Sequence, residues 1–335
     1  MRAAIVREFG PVERLPIGEM PDPTPAAHEV LVEVQATAVN FVDLLVIGGK
    51  YQFLPALPFV PGKLPTGIIS VVGADVQTLK VGDRVLTLAE SGGYAEKIAV
   101  PAKDCFVLPD GLPFIDAAAM ALAYDTAWFA LFERGRAKAG ETVLVLGASG
   151  GVGLAAVQLA KAYGMRVLAA IANLSKADLV RAAGADEIID LSAQDLRDSL
   201  RKQVHVHTDG AGADVVLAPL GGDIFDAALR AVAWRGRLVV IGFAAGHIPT
   251  LKVNYVLLKN IEVSGVQVSD YRKRTPALMA HCLAEIFRLY EEGKLTSAPT
   301  VTFDLSELPR ARQQLRDRTA QGRLIVIPRR GAAQS

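Results

Sequence analysis

TVLVLGASGGVGLAAVQLAK, residues 142–161, decides how this chain is read. Thr142 to Leu146 is a short apolar run of strand length. A turn follows with glycines at Gly147, Gly150, Gly151 and Gly153, and a helical apolar pattern opens directly out of it. Backbone N–H groups of such a turn can approach a pyrophosphate because no Cβ stands in the way. The helix N-terminus adds partial positive charge at the same point. A glycine pattern set between a strand and a helix is far more specific than one in isolation. The stretch Gly147, Ser149, Gly150, Gly151, Val152 and Gly153 therefore reads as a dinucleotide-binding turn; the bland alternative is a tight strand-to-helix turn that binds nothing.

The next strand selects among dinucleotides. Arg166 to Ile171 (RVLAAI) follows Gly164, which sits where a helix C-terminal glycine belongs. In NAD-binding folds a carboxylate near the end of this strand accepts from the ribose 2′-hydroxyl. Here the stretch reads Ala170, Ile171, Ala172, Asn173, Leu174, Ser175, Lys176, with no carboxylate to repel a 2′-phosphate. Lys176 can pair with one, and Asn173 and Ser175 can hydrogen-bond its oxygens. NADPH is the cofactor this pattern favours, against the plainer reading of Lys176 as a solvated lysine opening the next helix.

Composition narrows the class. At 335 residues the chain accommodates two domains, and 36 Lys and Arg against 35 Asp and Glu give no electrostatic footprint for nucleic acid or an anionic membrane. MRAAIVREFG reads as a first strand rather than a signal peptide, and the apolar stretch at 143–159 is explained by the strand-turn-helix unit rather than by a membrane span. Two distant cysteines, Cys105 and Cys282, predict no disulfide framework and a cytoplasmic location.

Residues 1 to about 120 read as short strands separated by Pro- and Gly-rich turns, at 2–6, 30–38, 66–72, 84–88 and 94–100, which suggests a barrel-like β unit. From about 122 to 265 strands alternate with helices, with strands at 142–146, 166–171, 187–189, 215–218, 237–241 and 261–263. That alternation predicts a doubly wound parallel sheet. Two helices follow, the first capped by Thr275 with Pro276 at its first position and Gly293 past its end, the second over 307–319. A final strand at 323–327 predicts a return to the first domain, so that the nucleotide domain is an insertion. His205 and His207 are expected on one face of a strand, as surface histidines, and the tail from 329 as loose.

Several motifs in order carry a resemblance over nearly the whole length: EVLVEVQATAVNFVDLL, LPFVPG, KVGDRVL, GGYAEKIAVP, Tyr124 to Ala127, the glycine turn, RGRLVVIGFAAG and Arg318 to Gly322. The chain resembles the zinc-free NADPH:quinone oxidoreductases, the ζ-crystallin-like branch of the medium-chain dehydrogenase/reductase superfamily. The resemblance implies an α/β protein: a GroES-like β-barrel catalytic domain (1–121), a Rossmann NADPH-binding domain (122–265), a C-terminal return (266–335) and an active site in the cleft between the domains. It also implies a homodimer paired through the late Rossmann strands, around Val240 and 261–266.

Where zinc-dependent relatives carry a cysteine ligand this chain has Asn40, and the Gly-His-Glu segment reads Gly62, Lys63, Leu64. Cys105 alone cannot complete a tetrahedral site, so no metal is expected. The resemblance places Asn40 near nicotinamide ribose and substrate, Tyr51 at the substrate mouth as a possible donor, and Thr126 facing the cofactor. It sets Gly242 and Phe243 in a loop covering the nicotinamide, and Lys176 with Arg318 at the 2′-phosphate. The plainer readings are a turn asparagine, a partly buried tyrosine and a surface arginine; Asp43 is expected to fix its loop. Lys63 to Thr66, Leu191, and Leu217 with Ala218 depart from the family pattern. The implied activity is hydride transfer to quinones or activated α,β-unsaturated carbonyls. A dedicated enone, acrylate-type or enoyl-thioester reductase and a non-catalytic NADPH-binding protein are the alternatives.

Overall fold

A computed structural model describes residues 1–11 and 15–329; the tail at 330–335 lies outside the described residues. In chain order the elements begin β1 (Arg2–Ala4), β2 (Ile17–Glu19), β3 (Glu29–Ala38), α1 (Phe41–Ile47), β4 (Thr66–Val72), β5 (Arg84–Thr87), β6 (Lys97–Pro101), β7 (Cys105–Val107) and α2 (Phe114–Trp128). They continue with β8 (Thr142–Leu146), α3 (Gly151–Ala162), β9 (Arg166–Ile171), α4 (Ala177–Ala182), β10 (Glu187–Asp190), α5 (Leu196–His207), β11 (Ala213–Ala218), α6 (Gly222–Ala231), β12 (Val232–Val240), α7 (Val253–Lys259) and β13 (Glu262–Gly265). The last are α8 (Val268–Arg274), α9 (Pro276–Glu291), β14 (Thr300–Asp304), α10 (Leu308–Arg316) and β15 (Arg323–Ile327).

Two compact units result, one formed by Met1–Leu122 and the chain from Thr296 on, the other by Ala123–Leu295. In the first, β3 is the hub. Its residues 29–36 pair antiparallel with β4 and β6, and its last two, Thr37 and Ala38, with β15, which carries β14 on its other side. A run that long can serve three neighbours because successive stretches of its edges are free for different partners. Tyr94, expected inside a strand, lies ahead of β6; its N–H donates to Pro61 O and its ring is buried among Ala4, Val6, Ile47 and Leu324.

The second unit holds a six-stranded parallel sheet in the order β10-β9-β8-β11-β12-β13. Parallel neighbours need crossover connections, and the intervening helices supply them. Chain direction across the sheet reverses between β8 and β11, so the C-terminal end of β8 opens at the topological switch point, where ligands bind in such sheets. Leu144, Leu146, Leu168 and Ile189 of the strands pack with Leu200 and Val204 of α5 and Phe225 of α6.

Three expectations are corrected. The second unit runs on to Leu295 rather than ending at 265, so α8 and α9 belong with the parallel sheet and only the chain from Thr296 returns. The reason is packing: Met279, Cys282, Leu283 and Ile286 give α9 a buried face, and Tyr271 of α8 stacks on Phe129. His205 and His207 close helix α5, where residues two apart point to different sides. Thr275 precedes α9 with Pro276 at its first position, yet its hydroxyl donates back to Tyr271 O and does not cap α9. Phe114–Arg134 is long and apolar enough to cross a membrane, but most of it is buried within the protein, as a core helix is.

Candidate cofactor and acceptor sites

β8 ends at Leu146 and Gly147 turns the chain at φ +68°. Ala148 N–H donates to Ala170 O on β9 (3.0 Å), Gly150 N–H to Gly147 O (3.0 Å) and Leu154 N–H to Gly150 O (2.8 Å). Between the last two stand the N–H groups of Gly151, Val152 and Gly153, the first turn of α3, which helical geometry leaves without partners inside the helix. A Cβ on Gly153 would lie 2.3 Å from Gly147 O and 2.6 Å from Ala148 Cα, so the turn closes on itself only because that position is bare. Gly150 is exposed and Ser149 half-buried at the mouth of this cradle. N–H donors converging at a helix N-terminus, in a turn built of glycines, fit a pyrophosphate.

At the end of β9, Asn173 begins a tight turn over Leu174–Lys176. Its Oδ1 accepts from Ser175 N (3.0 Å) and Ser175 Oγ (2.8 Å). That oxygen is therefore used by the turn itself, an Asx turn. Asn173 and Ser175 are exposed and Lys176 half-buried beside them. Thr126 lies on α2, and its Oγ1 donates to Asp125 Oδ1 (3.2 Å). Asp125 is fully buried and paired with Arg272 Nη2 of α8 at 2.6 Å. Burial pushes the Asp125 carboxyl up, and the Arg272 guanidinium is the main opposing influence.

After β12, Gly242 and Phe243 begin a loop pinned by Ala244 N–H to Pro219 O (3.1 Å) and Ala245 N–H to Leu220 O (2.8 Å). Phe243 is 39% exposed there, and the bare Gly221 at φ +72° makes room for its ring. Leu191, Leu217 and Ala218 are buried in the sheet unit. Arg318 follows α10 in the left-handed region, φ +58°, and belongs to the first unit, whereas Lys176 belongs to the second.

The first unit assembles Asn40, Asp43, Tyr94 and Arg323. Asn40 N–H donates to Asp43 Oδ2 (2.9 Å) at the start of α1, and Tyr94 OH donates to the same oxygen (2.6 Å). Asn40 Nδ2 donates to Ala38 O (3.1 Å), while its Oδ1 accepts from Arg323 Nη2 (2.8 Å). The carboxamide is thus fixed from both ends, with a second amide hydrogen still to give. Burial raises the Asp43 carboxyl; the Tyr94 and Asn40 hydrogen bonds and the charges of Lys63 and Arg312 oppose it. Tyr51 stands edge-on to Phe53, ring centroids 6.4 Å apart, and Lys63 Nζ lies 5.8 Å from the Tyr51 ring centroid. Lys63 also pairs with Glu90.

Sequence reasoning passed over Arg323, Glu90, Arg272 and the structural use of Tyr94. Only the expectation that Asp43 fixes its loop pointed this way. Among the described residues no group of three or more His, Cys, Asp or Glu side chains gathers as a metal site.

Residues 26–110 match the model described as alcohol dehydrogenase GroES-like domain, and 151–285 that described as zinc-binding dehydrogenase. The fold and the two matches define an oxidoreductase with a GroES-like domain and a Rossmann domain. Within that class the chain belongs to the quinone oxidoreductase branch of the medium-chain dehydrogenase/reductase superfamily. It is 35% identical over 301 residues to the quinone oxidoreductase-like protein 2 homolog of Nematostella vectensis, covering 89% of this chain and 81% of that one. The Pseudomonas syringae pv. tomato DC3000 quinone oxidoreductase superposes with TM-score 0.90 at 30% identity, covering 98% of this chain and all, 100%, of the other. A mycobacterial protein solved complexed with NADPH gives TM-score 0.90 at 30% identity, with 98% and 100% coverage.

Proposed function

We propose that this oxidoreductase uses NADPH to reduce quinones or activated α,β-unsaturated carbonyls. The observation that carries the cofactor half is the bare donor cradle at Gly147–Gly153, followed by a β9 terminus that presents Lys176 and no carboxylate. The neighbour complexed with NADPH supports it, and quinone oxidoreductase relatives support the acceptor class. NADPH, when bound, supplies a hydride. The chain's own residues bind and orient: the first-turn N–H groups of α3 hold the pyrophosphate, with Ser149 at their mouth. Lys176 supplies charge for the 2′-phosphate, and Asn173 shapes the turn that presents it. Thr126, held by Asp125, and Phe243 in its pinned loop face the nicotinamide. Asn40, locked by Arg323, offers its remaining amide hydrogen to ribose or acceptor, and Tyr51 offers its hydroxyl. The free thiols Cys105 and Cys282 suit a reducing compartment, and the cytoplasm is the location proposed.

A homodimer is part of the proposal. β13 forms an open edge of the six-stranded sheet, and near it in the chain Val253, Leu257 and Leu258 of α7 are 69%, 78% and 72% exposed.

The test is NADPH consumption by the purified protein, treated with chelator, against a panel of quinones, enones and enoyl thioesters with NADH in parallel. Acceptor-dependent oxidation is expected. Lys176→Ala should weaken NADPH binding at least tenfold and leave NADH binding nearly unchanged, since about 1.4 kcal/mol is tenfold and a charge-assisted phosphate contact is worth that or more. Equal losses for both cofactors refute the 2′-phosphate role. Tight NADPH binding without turnover favours a binding protein, and turnover confined to enoyl thioesters favours a dedicated enoyl reductase.

A further inference from the structure

Lys63 is turned inward by an unusual stretch of backbone. Gly62 sits at φ +96°, where a Cβ would come within 2.8 Å of Tyr94, and Leu64 follows at φ +53°. With a left-handed residue on either side, the Lys63 side chain is carried into the protein, where only 7% of it is exposed. Lysine is seldom buried to that degree without a partner. Its partners are the Glu90 carboxylate, itself 32% exposed, and the face of Tyr51. Its charge also reaches Asp43, at the start of the helix that Asn40 opens. The backbone here, with Leu64 as a non-glycine residue in the left-handed region, holds a cation against the face of Tyr51, one of the side chains assigned to the acceptor.

We propose that Lys63 is a catalytic residue: its ammonium, steered by Glu90 and the Tyr51 ring, meets the acceptor's oxygen and stabilises the charge that develops there. This rests on the reading of Tyr51 as lining the acceptor site. The acceptor gains a C–H bond as a hydride arrives at its conjugated carbon. Its C=C π pair shifts, and the carbonyl oxygen becomes an enolate or hydroquinone anion. NADPH is oxidised to NADP⁺, and a proton from water completes the reduced product. Lys63 acts by charge and hydrogen bonding, as oxyanion donors do. The Tyr51 face favours the cation and keeps it aimed.

A nitrophenol whose phenolate absorbs in visible light reads this without turnover. Added to the cofactor-free full-length protein, it should bind with its phenolate fraction raised above that in buffer. Lys63→Met should abolish the rise and Lys63→Arg should keep most of it. In turnover Lys63→Met should lower kcat by about 10²–10³-fold, with NADPH affinity, read by fluorescence titration, unchanged. Should Lys63→Met fail to fold, Glu90→Gln decides the matter: removing the competing carboxylate raises the phenolate fraction if Lys63 faces the ligand and leaves it unaltered if not. A bound probe indifferent to both changes, or an unchanged kcat in Lys63→Met, overturns the proposal. Wild-type protein that reduces no quinone or enone overturns the acceptor reading instead, and the phenolate signal then reports on Lys63 separately.

Discussion

Gly153 shows how little room the glycine turn leaves. The atoms that a methyl group would strike are backbone, Gly147 O at 2.3 Å and Ala148 Cα at 2.6 Å, which cannot rotate away as a side-chain tip can. Gly153→Ala should therefore destabilise the protein by about 1–3 kcal/mol, the usual cost of overpacking. It should also weaken NADPH binding, because relief comes only by moving the N–H groups that form the cradle. Thermal melting and a binding titration check both. This position was legible in the sequence because every contact that constrains it lies within seven residues of chain. Asn40 was not legible to the same depth: the arginine that fixes its carboxamide is 283 residues away. Nothing local to Asn40 announces it.

The packing of α9 on the sheet unit gives a prediction about pH. Glu285 accepts from Arg288 on its own helix and from Tyr163, which ends α3, and these bonds hold its carboxyl down at about 2. A carboxyl depressed in the folded state stabilises above the unfolded glutamate range, and the benefit is lost as pH falls through the folded value. Wild-type protein should melt above Glu285→Gln at neutral pH. The gap should close as pH falls from 4.5 toward about 2. A gap independent of pH would mean that the charge contributes nothing and the amide is simply a poorer fit. Within the elements, β4, β8, β9 and β15 match the strands expected from their apolar runs, since a short β-branched or Leu-rich run between turn residues has few other uses. β12 starts five residues earlier than expected, directly after α6, because Val232 and Ala233 are buried although Trp234 and Arg235 are exposed.

For the molecule as a whole, the proposed homodimer makes a prediction through the exposed α7 face. Replacing both Leu257 and Leu258 by Glu should convert a dimer into a monomer, read as a halving of mass by light scattering. Charges at the centre of such a contact are strongly unfavourable. A wild-type mass of one chain would refute the dimer outright. The domain arrangement was partly legible: a chain that ends in a strand after a helical stretch has to return somewhere. The place of the return was not, because α8 and α9 carry apolar faces that either unit could bury on composition alone.

The amphipathic periods, the glycines of the cradle and the absent carboxylate after β9 are local properties, and short-range sterics translate the first two directly into a parallel sheet and a tight glycine turn at a helix N-terminus. Contacts between remote residues obey no such rule. Arg323 with Asn40, Arg272 with Asp125, and Lys63 with Glu90 and Tyr51 exist because folding removes those charges from water and leaves each to find its partner in three dimensions. Sequence spacing says nothing about which partner that will be, so these pairings were decided by the tertiary fold.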